Sequence, residues 1–167
     1  MRSRARFAGH AIHPVLIVFP LGLLVTALVF DILFLITESR SFAVSAAYTT
    51  AAGVLGGLAA ILFGWIDWFA VPKHTRAKKV GLVHGLVNVL MVALFAVSWL
   101  VRLDRTTWDP TSLSITLATA AIILALIGGW LGGELVERLS LSVDEEANVD
   151  ASSSLKRVVT KPANDTR

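Results

Sequence analysis

Four long apolar runs constrain the fold of this chain more than any other feature of its sequence. They cover about residues 12–36, 44–71, 80–101 and 113–133, and 55% of the 167 residues are hydrophobic. Each run reaches the roughly 20 residues that a helix needs to cross a hydrocarbon core of about 30 Å. No run alternates apolar and polar residues as a transmembrane β-strand does. The sequence therefore predicts an all-α polytopic membrane protein that contacts the lipid bilayer.

The connections between the runs are short, which favours an antiparallel four-helix transmembrane bundle. We predict a basic N-terminus at residues 1–11, a transmembrane domain at residues 12–139 and a polar cytoplasmic tail at residues 140–167. The tail has too little apolar content to bury a core, so it is predicted to be disordered. The chain contains no cysteine, which excludes disulfides and thiolate metal sites.

Basic residues at the ends of the runs predict the orientation of the bundle. They are more numerous at the N-terminus, in the second loop and at the start of the tail than on the opposite side. The positive-inside rule then places both termini in the cytoplasm and the chain in the cell (cytoplasmic) membrane as a multi-pass protein. The same rule accounts for the net charge of +3, so nucleic acid is not an expected partner. The two groups are Arg2, Arg4, Arg6, Lys73, Arg76, Lys78, Lys79 and Arg138 against Arg40, Arg102 and Arg105.

Steps of three or four residues define one distinctive face on each run. In runs one and three, polar side chains share this face, which should point into the bundle because lipid disfavours them. In runs two and four, the face consists of small residues, which permit close helix packing or leave room for a flat ligand. The four faces are His13, Ile17, Pro20, Leu24, Ala27 and Asp31; Gly53, Gly57, Ala60, Gly64 and Asp67; His84, Asn88, Met91, Phe95, Ser98 and Arg102; and Ala118, Ala121, Ala125, Gly128 and Gly132.

Two charged residues end the polar faces of runs one and three at the same side of the membrane. They are Asp31 and Arg102. Charges near helix ends in a membrane usually pair with one another. We therefore predict a structural ion pair between them.

A layer of ionisable residues is predicted at the opposite, cytoplasmic ends of the helices. His13, Asp67, His84 and Glu134 each lie within a turn or two of the end of their run. Ionisable groups inside a membrane domain point to a functional site by default. Each also has an ordinary interpretation: Asp67 could pair with a basic residue of the second loop, Lys73 or Arg76. His84 could form a hydrogen-bonded couple with Asn88, one turn later.

The two halves of the chain also resemble each other. Each begins with a run that carries a histidine and ends with a run rich in glycine. The residues 64–67, Gly-Trp-Ile-Asp, resemble residues 129–132, Gly-Trp-Leu-Gly. Any symmetry axis between such halves would lie along the membrane normal.

Several of these motifs together resemble a small bacterial family of four-span membrane proteins, domain of unknown function 2231. The resemblance covers roughly residues 10–140. It implies a four-span fold, and because some relatives are joined to Rieske-type iron–sulfur domains, it hints at membrane redox chemistry. The matching elements are His13-Pro14, Pro20-Leu21-Gly22 and Asp31; Gly64 and Asp67-Trp68; His84 and Asn88; and Leu131-Gly132-Gly133-Glu134-Leu135-Val136.

Three functions remain open at this level. The best specific hypothesis is a membrane subunit for electron transfer that binds a b-type haem through His13 and His84, since bundle cores commonly hold cofactors between facing helices. Asn88, Asp67, Gly64 and Gly132 would then surround the cofactor. The alternative is a divalent-metal or proton-relay site formed by His13, His84, Asp67 and Glu134.

The third hypothesis is an accessory or assembly subunit in which the polar layer only specifies helix packing. The chain has no nucleophile elbow, phosphate loop or zinc-protease motif, so it is not expected to be a stand-alone enzyme. A redox partner or a second copy of the chain are the protein partners that these hypotheses imply.

Overall fold

The computed structural model describes residues 2–155 and arranges four membrane-spanning helical segments as an up-down bundle. Span one consists of two helices, and span four ends in a π-helical turn. A short antiparallel hairpin precedes span one, with Arg6 opposite Ala11. The elements are β1 Arg6–Phe7, β2 His10–Ala11, α1 Ile12–Leu16, α2 Val18–Thr37, α3 Arg40–Ala70, α4 Arg76–Leu100, α5 Ser112–Gly133 and the π-helical turn Glu134–Arg138.

Local chemistry explains where the spans begin and stop. Span one is interrupted at Ile17, three residues before Pro20, which has no N–H to donate and whose ring crowds the carbonyl of the preceding turn. Thr75 caps α4 by accepting a hydrogen bond from the Lys78 N–H at 3.1 Å. Thr111 and Ser114 exchange side-chain and backbone hydrogen bonds in a capping box at the start of α5. The spans are therefore slightly longer than the apolar runs alone indicate.

The described part of the C-terminal tail, residues 140–155, contains turns and neither helix nor strand. Asp144 pairs with Arg2, and Ser154 lies beside the hairpin, 3.3 Å from the His10 ring. The remainder of the predicted disordered tail, residues 156–167, lies outside the described residues.

The faces predicted from helical spacing are largely the buried faces of the bundle, and they follow a two-fold relation. Each buried residue of span one lies 71 positions before a buried residue of span three, the separation of Asp31 and Arg102. A constant separation of 68 positions relates the buried residues of span two to those of span four. The pairs are Pro20 and Met91, Leu24 and Phe95, Ala27 and Ser98, and Asp31 and Arg102; then Thr50 and Ala118, Gly53 and Ala121, Gly57 and Ala125, and Ala60 and Gly128.

The two halves therefore correspond in the positions that they bury, and this correspondence has a different register from the one that the Gly-Trp motifs predict. Gly64 corresponds to Gly132 and not to Gly129, because these two glycines lie one turn beyond Ala60 and Gly128 in their helices. The shared Gly-Trp dipeptide predicts that Gly64 corresponds to Gly129. The two tryptophans are not equivalent, however, because Trp65 borders the bundle interior and Trp130 is 69% exposed. Packing position, and not residue identity, defines the correspondence.

Asp31 and Arg102 meet on the axis of the bundle, at the end opposite the N-terminus. Arg102 donates from Nη1 to Asp31 Oδ1 at 2.7 Å and from Nη2 to Oδ2 at 2.5 Å. Each residue is 1% exposed, so the pair is dry and bidentate. It joins Asp31, six residues before the end of α2, to Arg102, two residues after the end of α4.

Removal of either charge of this pair should destabilise the bundle. Asp31→Asn or Arg102→Gln leaves one buried charge without its partner, which typically costs about 3–5 kcal/mol. Because the two positions are related by the internal two-fold, the exchange Asp31→Arg with Arg102→Asp should recover most of that loss. Denaturant unfolding in detergent, followed by tryptophan fluorescence, measures all three variants. Wild-type stability in both single variants would contradict the structural role of the pair.

Candidate functional site

Two histidines face each other near the N-terminal end of the bundle, by which we mean the end where spans one and three begin. His13 lies in α1 and His84 in α4, and their ring centres are 6.3 Å apart with planes at 86°. Like Asp31 and Arg102, they are separated by 71 positions and are mates under the internal two-fold. At 1.5 Å per residue, the two pairs are about 27 Å apart along the helices. The axis of the bundle thus carries one polar pair near each end.

Each imidazole is held by a backbone carbonyl of the neighbouring span. His13 Nδ1 lies 2.8 Å from the Ala60 carbonyl oxygen, and His84 Nδ1 lies 2.9 Å from that of Gly128. A carbonyl oxygen only accepts, so the proton of each neutral ring must be on Nδ1. The Nε2 atoms therefore carry lone pairs. Ligating histidines are usually oriented in this way, through a second-shell carbonyl or carboxylate.

Glycines make room for both rings. A methyl group added to Gly64 would lie 3.0 Å from His13 Cε1, and one added to Gly132 would lie 3.2 Å from His84 Cε1. Both distances are tighter than ordinary van der Waals contact, so a larger residue would push the ring away. These glycines are two-fold mates and complete two equivalent histidine seats.

The histidines border a cavity of about 380 Å³ between the four spans. This is within the range of about 300–1,000 Å³ for small-molecule sites, and its wall is almost entirely apolar. Glycines and alanines of spans two and four form two sides of it, which leaves a space between helix backbones. The predicted site residues His13, His84, Asn88, Asp67, Gly64 and Gly132 all line the cavity.

Asn88 lies on the cavity wall next to His84. Its Nδ2 donates to the carbonyl oxygen of His84 at 2.8 Å and lies 3.3 Å from His84 Nε2. A methyl group on Gly128 would approach the Asn88 side chain to 2.9 Å, so this contact too depends on glycine. Asn88 thus supports the His84 seat. His13 Nε2 has no hydrogen-bond partner among residues 2–155.

Asp67 holds the N-terminal segment instead of a basic residue of its own loop. Its carboxylate accepts from Ser3 Oγ at 2.7 and 2.8 Å, from the Arg4 N–H at 2.8 Å and from the Ala5 N–H at 3.1 Å. This segment crosses the N-terminal end of the bundle, and we call residues 2–11 the strap. The interpretation that paired Asp67 with Lys73 or Arg76 is wrong, because the strap takes up its oxygens and Arg76 pairs elsewhere.

Glu134 is the partner of Arg76, at 2.5 Å between Oε1 and Nη2. Since Asp67 and Glu134 each have their own partners, the predicted metal set of His13, His84, Asp67 and Glu134 is not assembled. Among residues 2–155, no three histidine or acidic side chains are placed to hold one metal ion. The four residues of the predicted layer therefore have separate roles. His13 and His84 form a pair inside the bundle, whereas Asp67 binds the strap and Glu134 binds Arg76.

The strap is also joined to the tail. Arg2 Nε donates to Asp144 Oδ1 at 2.8 Å, and the Arg2 guanidinium holds the pKa of the Asp144 carboxyl below its ordinary value. A depressed carboxyl pKa means that this contact is complete at neutral pH and is lost as the pH falls through that lowered value. Leu141 and Ser142, just before it, line the cavity. The strap and the start of the tail together form a cover at the N-terminal end.

Comparison with known proteins gives one match. The chain matches the family described as "Predicted membrane protein (DUF2231)" over residues 9–145. No curated protein and no solved structure matches it. The matched range contains the four spans, the histidine pair and the ion pair.

The strap should loosen when the charge of Asp67 is removed. Asp67→Asn weakens hydrogen bonds to a charged acceptor, each worth about 1.5 kcal/mol or more, so amide hydrogen exchange at Arg4 and Ala5 should accelerate about tenfold. Hydrogen-exchange mass spectrometry of the N-terminal peptide measures this effect. Glu134→Gln, which breaks an ion pair at the same end, is the matched control and should leave these amides unchanged. Equal exchange in Asp67→Asn and the unaltered protein would show that Asp67 does not anchor the strap.

Proposed function

The chain belongs to the DUF2231 family of predicted membrane proteins, and we propose that it is a membrane subunit that holds a b-type haem between His13 and His84 for electron transfer. The observation that carries this proposal is the histidine pair itself. Both rings have Nδ1–H committed to a carbonyl, so Nε2 is the atom of each ring that would bind iron. His13 Nε2 has no other partner among residues 2–155, and His84 Nε2 would exchange its 3.3 Å contact with the Asn88 amide for the iron.

The separation of the rings supports two ligands on opposite sides of one ion. A metal–nitrogen bond of about 2.0 Å and a nitrogen-to-centre distance of about 1.2 Å place two opposed imidazole centres about 6.4 Å apart. Tetrahedral ligands would bring the same centres to about 5 Å. The ring centres of His13 and His84 lie 6.3 Å apart, edge to face, which is close to the spacing that two opposed ligands would need. Two axial imidazoles are a ligand set for haem in electron transfer.

The surroundings of the pair also suit a flat, apolar ring. The cavity wall is apolar, and its sides at Ala60, Gly64, Gly128 and Gly132 carry little or no side chain. Basic residues of the second loop lie at the same end of the bundle, where they could meet the propionates of a haem. When bound, haem would supply one-electron chemistry, and the chain would supply ligands, orientation and exclusion of water.

Orientation and location are part of the proposal. The bias of basic residues toward the strap, the second loop and the start of the tail supports cytoplasmic termini in a cell membrane. The histidine pair would then lie near the cytoplasmic face. Electron transfer there needs a redox partner that reaches this face.

The proposal predicts a haem spectrum that depends on both histidines. Protein purified in mild detergent, or reconstituted with haemin, should show a Soret band that shifts on reduction with dithionite. His13→Ala and His84→Ala should each lower the haem retained after gel filtration by at least about tenfold, the effect of about 1.4 kcal/mol of binding energy. His10→Ala is the matched control, because His10 is exposed and outside the cavity.

Two results would contradict haem binding. One is the absence of a Soret band after reconstitution of folded protein. The other is retention of haem in both single variants at the level of His10→Ala. If elemental analysis then finds a stoichiometric metal, a small-ion site takes the place of haem; if it finds none, a packing role takes its place.

A further inference from the structure

The cavity beside the histidine pair is open toward the surface of the bundle between spans one and four. The residues that both line it and are exposed belong to these two spans: Ile17, Leu21, Gly129 and Val136. Leu21 is 50% exposed and Val136 is 44% exposed. Both spans are long and apolar enough to cross a membrane, so the surface between them is expected to face hydrocarbon. The opening therefore faces lipid.

The opposite side of the cavity, between spans two and three, is closed by tryptophans. A methyl group on Gly85 would lie 3.5 Å from the Trp65 ring, and one on Gly81 would lie 2.9 Å from the Trp68 ring. Lys78 secures this side by donating from Nζ to the Trp68 carbonyl at 2.6 Å, with the ammonium 3.7 Å from the ring centre. No lining residue of spans two and three is exposed.

The two sides of the cavity differ at one pair of equivalent residues. The residue after Gly64 is Trp65, whereas the residue after its mate Gly132 is Gly133. Apart from the adjacent residues and the backbone of the same helix, nothing in the described chain lies within 4 Å of a methyl group built on Gly133 or on Gly129. One half of the bundle thus closes its side with an indole, and the other half leaves the equivalent side open.

The water-facing end of the cavity is covered. The strap is bound to Asp67 through Ser3, Arg4 and Ala5, and Leu141 and Ser142 of the tail form part of the cavity wall. A ligand that came from the aqueous phase would have to displace this cover. A ligand dissolved in the bilayer would meet only glycine and aliphatic side chains.

We propose that the site is loaded sideways from the membrane, through a portal between spans one and four, by a flat apolar ring compound dissolved in the bilayer. The portal is defined by Ile17, Leu21, Gly129, Gly133 and Val136. Only the identity of the ring as haem rests on the proposed function. The portal itself belongs to the chain and can be tested without haem.

The test uses an apolar aryl diazirine dissolved in phosphatidylcholine vesicles that contain the full chain. Photolysis should label Met91 and Ile61, which line the cavity, and mass spectrometry measures the yield. Gly133→Trp recreates on span four the indole that closes the other side, and should lower this labelling several-fold. Gly22→Trp is the matched control, since Gly22 also has open space around it but does not line the cavity. Its labelling of Met91 should equal that of the unaltered protein.

A second variant and a second probe keep the result interpretable. Gly129→Trp should also lower the labelling of Met91 by the apolar probe. This variant tests the portal even if Gly133→Trp fails to fold. A charged, membrane-impermeant diazirine should label Met91 far less than the apolar probe does. Unchanged labelling in both folded tryptophan variants, or preferential labelling by the charged probe, would overturn the lateral route.

This experiment separates the portal from the haem proposal. Labelling that falls in Gly133→Trp, in a protein without a Soret band, supports the portal and removes haem as its ligand. A haem spectrum with labelling that is indifferent to Gly133→Trp and Gly129→Trp supports haem and removes the lateral route.

Discussion

Polar side chains inside an apolar layer must find partners within the bundle, because lipid supplies none. The structure depends on the two places where this happens on the bundle axis. At one end, Arg102 binds Asp31 with two short hydrogen bonds, and at the other, His13 and His84 each donate to a carbonyl of a neighbouring span. The ion pair is satisfied within the chain except for Arg102 Nε, which has no partner among the described residues. Of the second ring nitrogens, His13 Nε2 has no partner among the described residues, and His84 Nε2 lies 3.3 Å from the Asn88 amide nitrogen.

The internal two-fold explains why the histidine site has its shape. Equivalent positions on two similar halves bring two histidines together, each beside a carbonyl and a glycine of the adjacent span. A ligand with two equivalent faces suits such a site better than an ion that needs three or four unlike ligands. The two halves differ where one has Trp65 and the other has Gly133. The tryptophan closes one side of the cavity, and the glycine leaves the equivalent side open. The proposed binding would depend on what the two halves share, and the proposed access on where they differ.

Much of the fold could be predicted from the sequence, because helical periodicity and the cost of polar groups in lipid are both readable in a single chain. The inward faces and the pairing of Asp31 with Arg102 follow from these two principles. The strap could not be predicted: Asp67 binds backbone N–H groups, which leave no trace in the sequence. The partners of Asp67 and Glu134 could not be predicted for a related reason. Residues at the same depth on different helices need not have side chains that point toward one another. The histidine carbonyl partners, Ala60 and Gly128, are likewise backbone groups.

The central claim is that two related imidazoles bind one iron from opposite sides. Low-temperature electron paramagnetic resonance of the ferric, haem-loaded protein tests it most directly, because two axial imidazoles impose a low-spin state and a single one does not. Ligation by both histidines would give a low-spin signal in the unaltered protein, and this signal would be lost or replaced by a high-spin signal in His13→Ala and in His84→Ala. A high-spin signal in the unaltered protein, or a low-spin signal that persists in either variant, would contradict it.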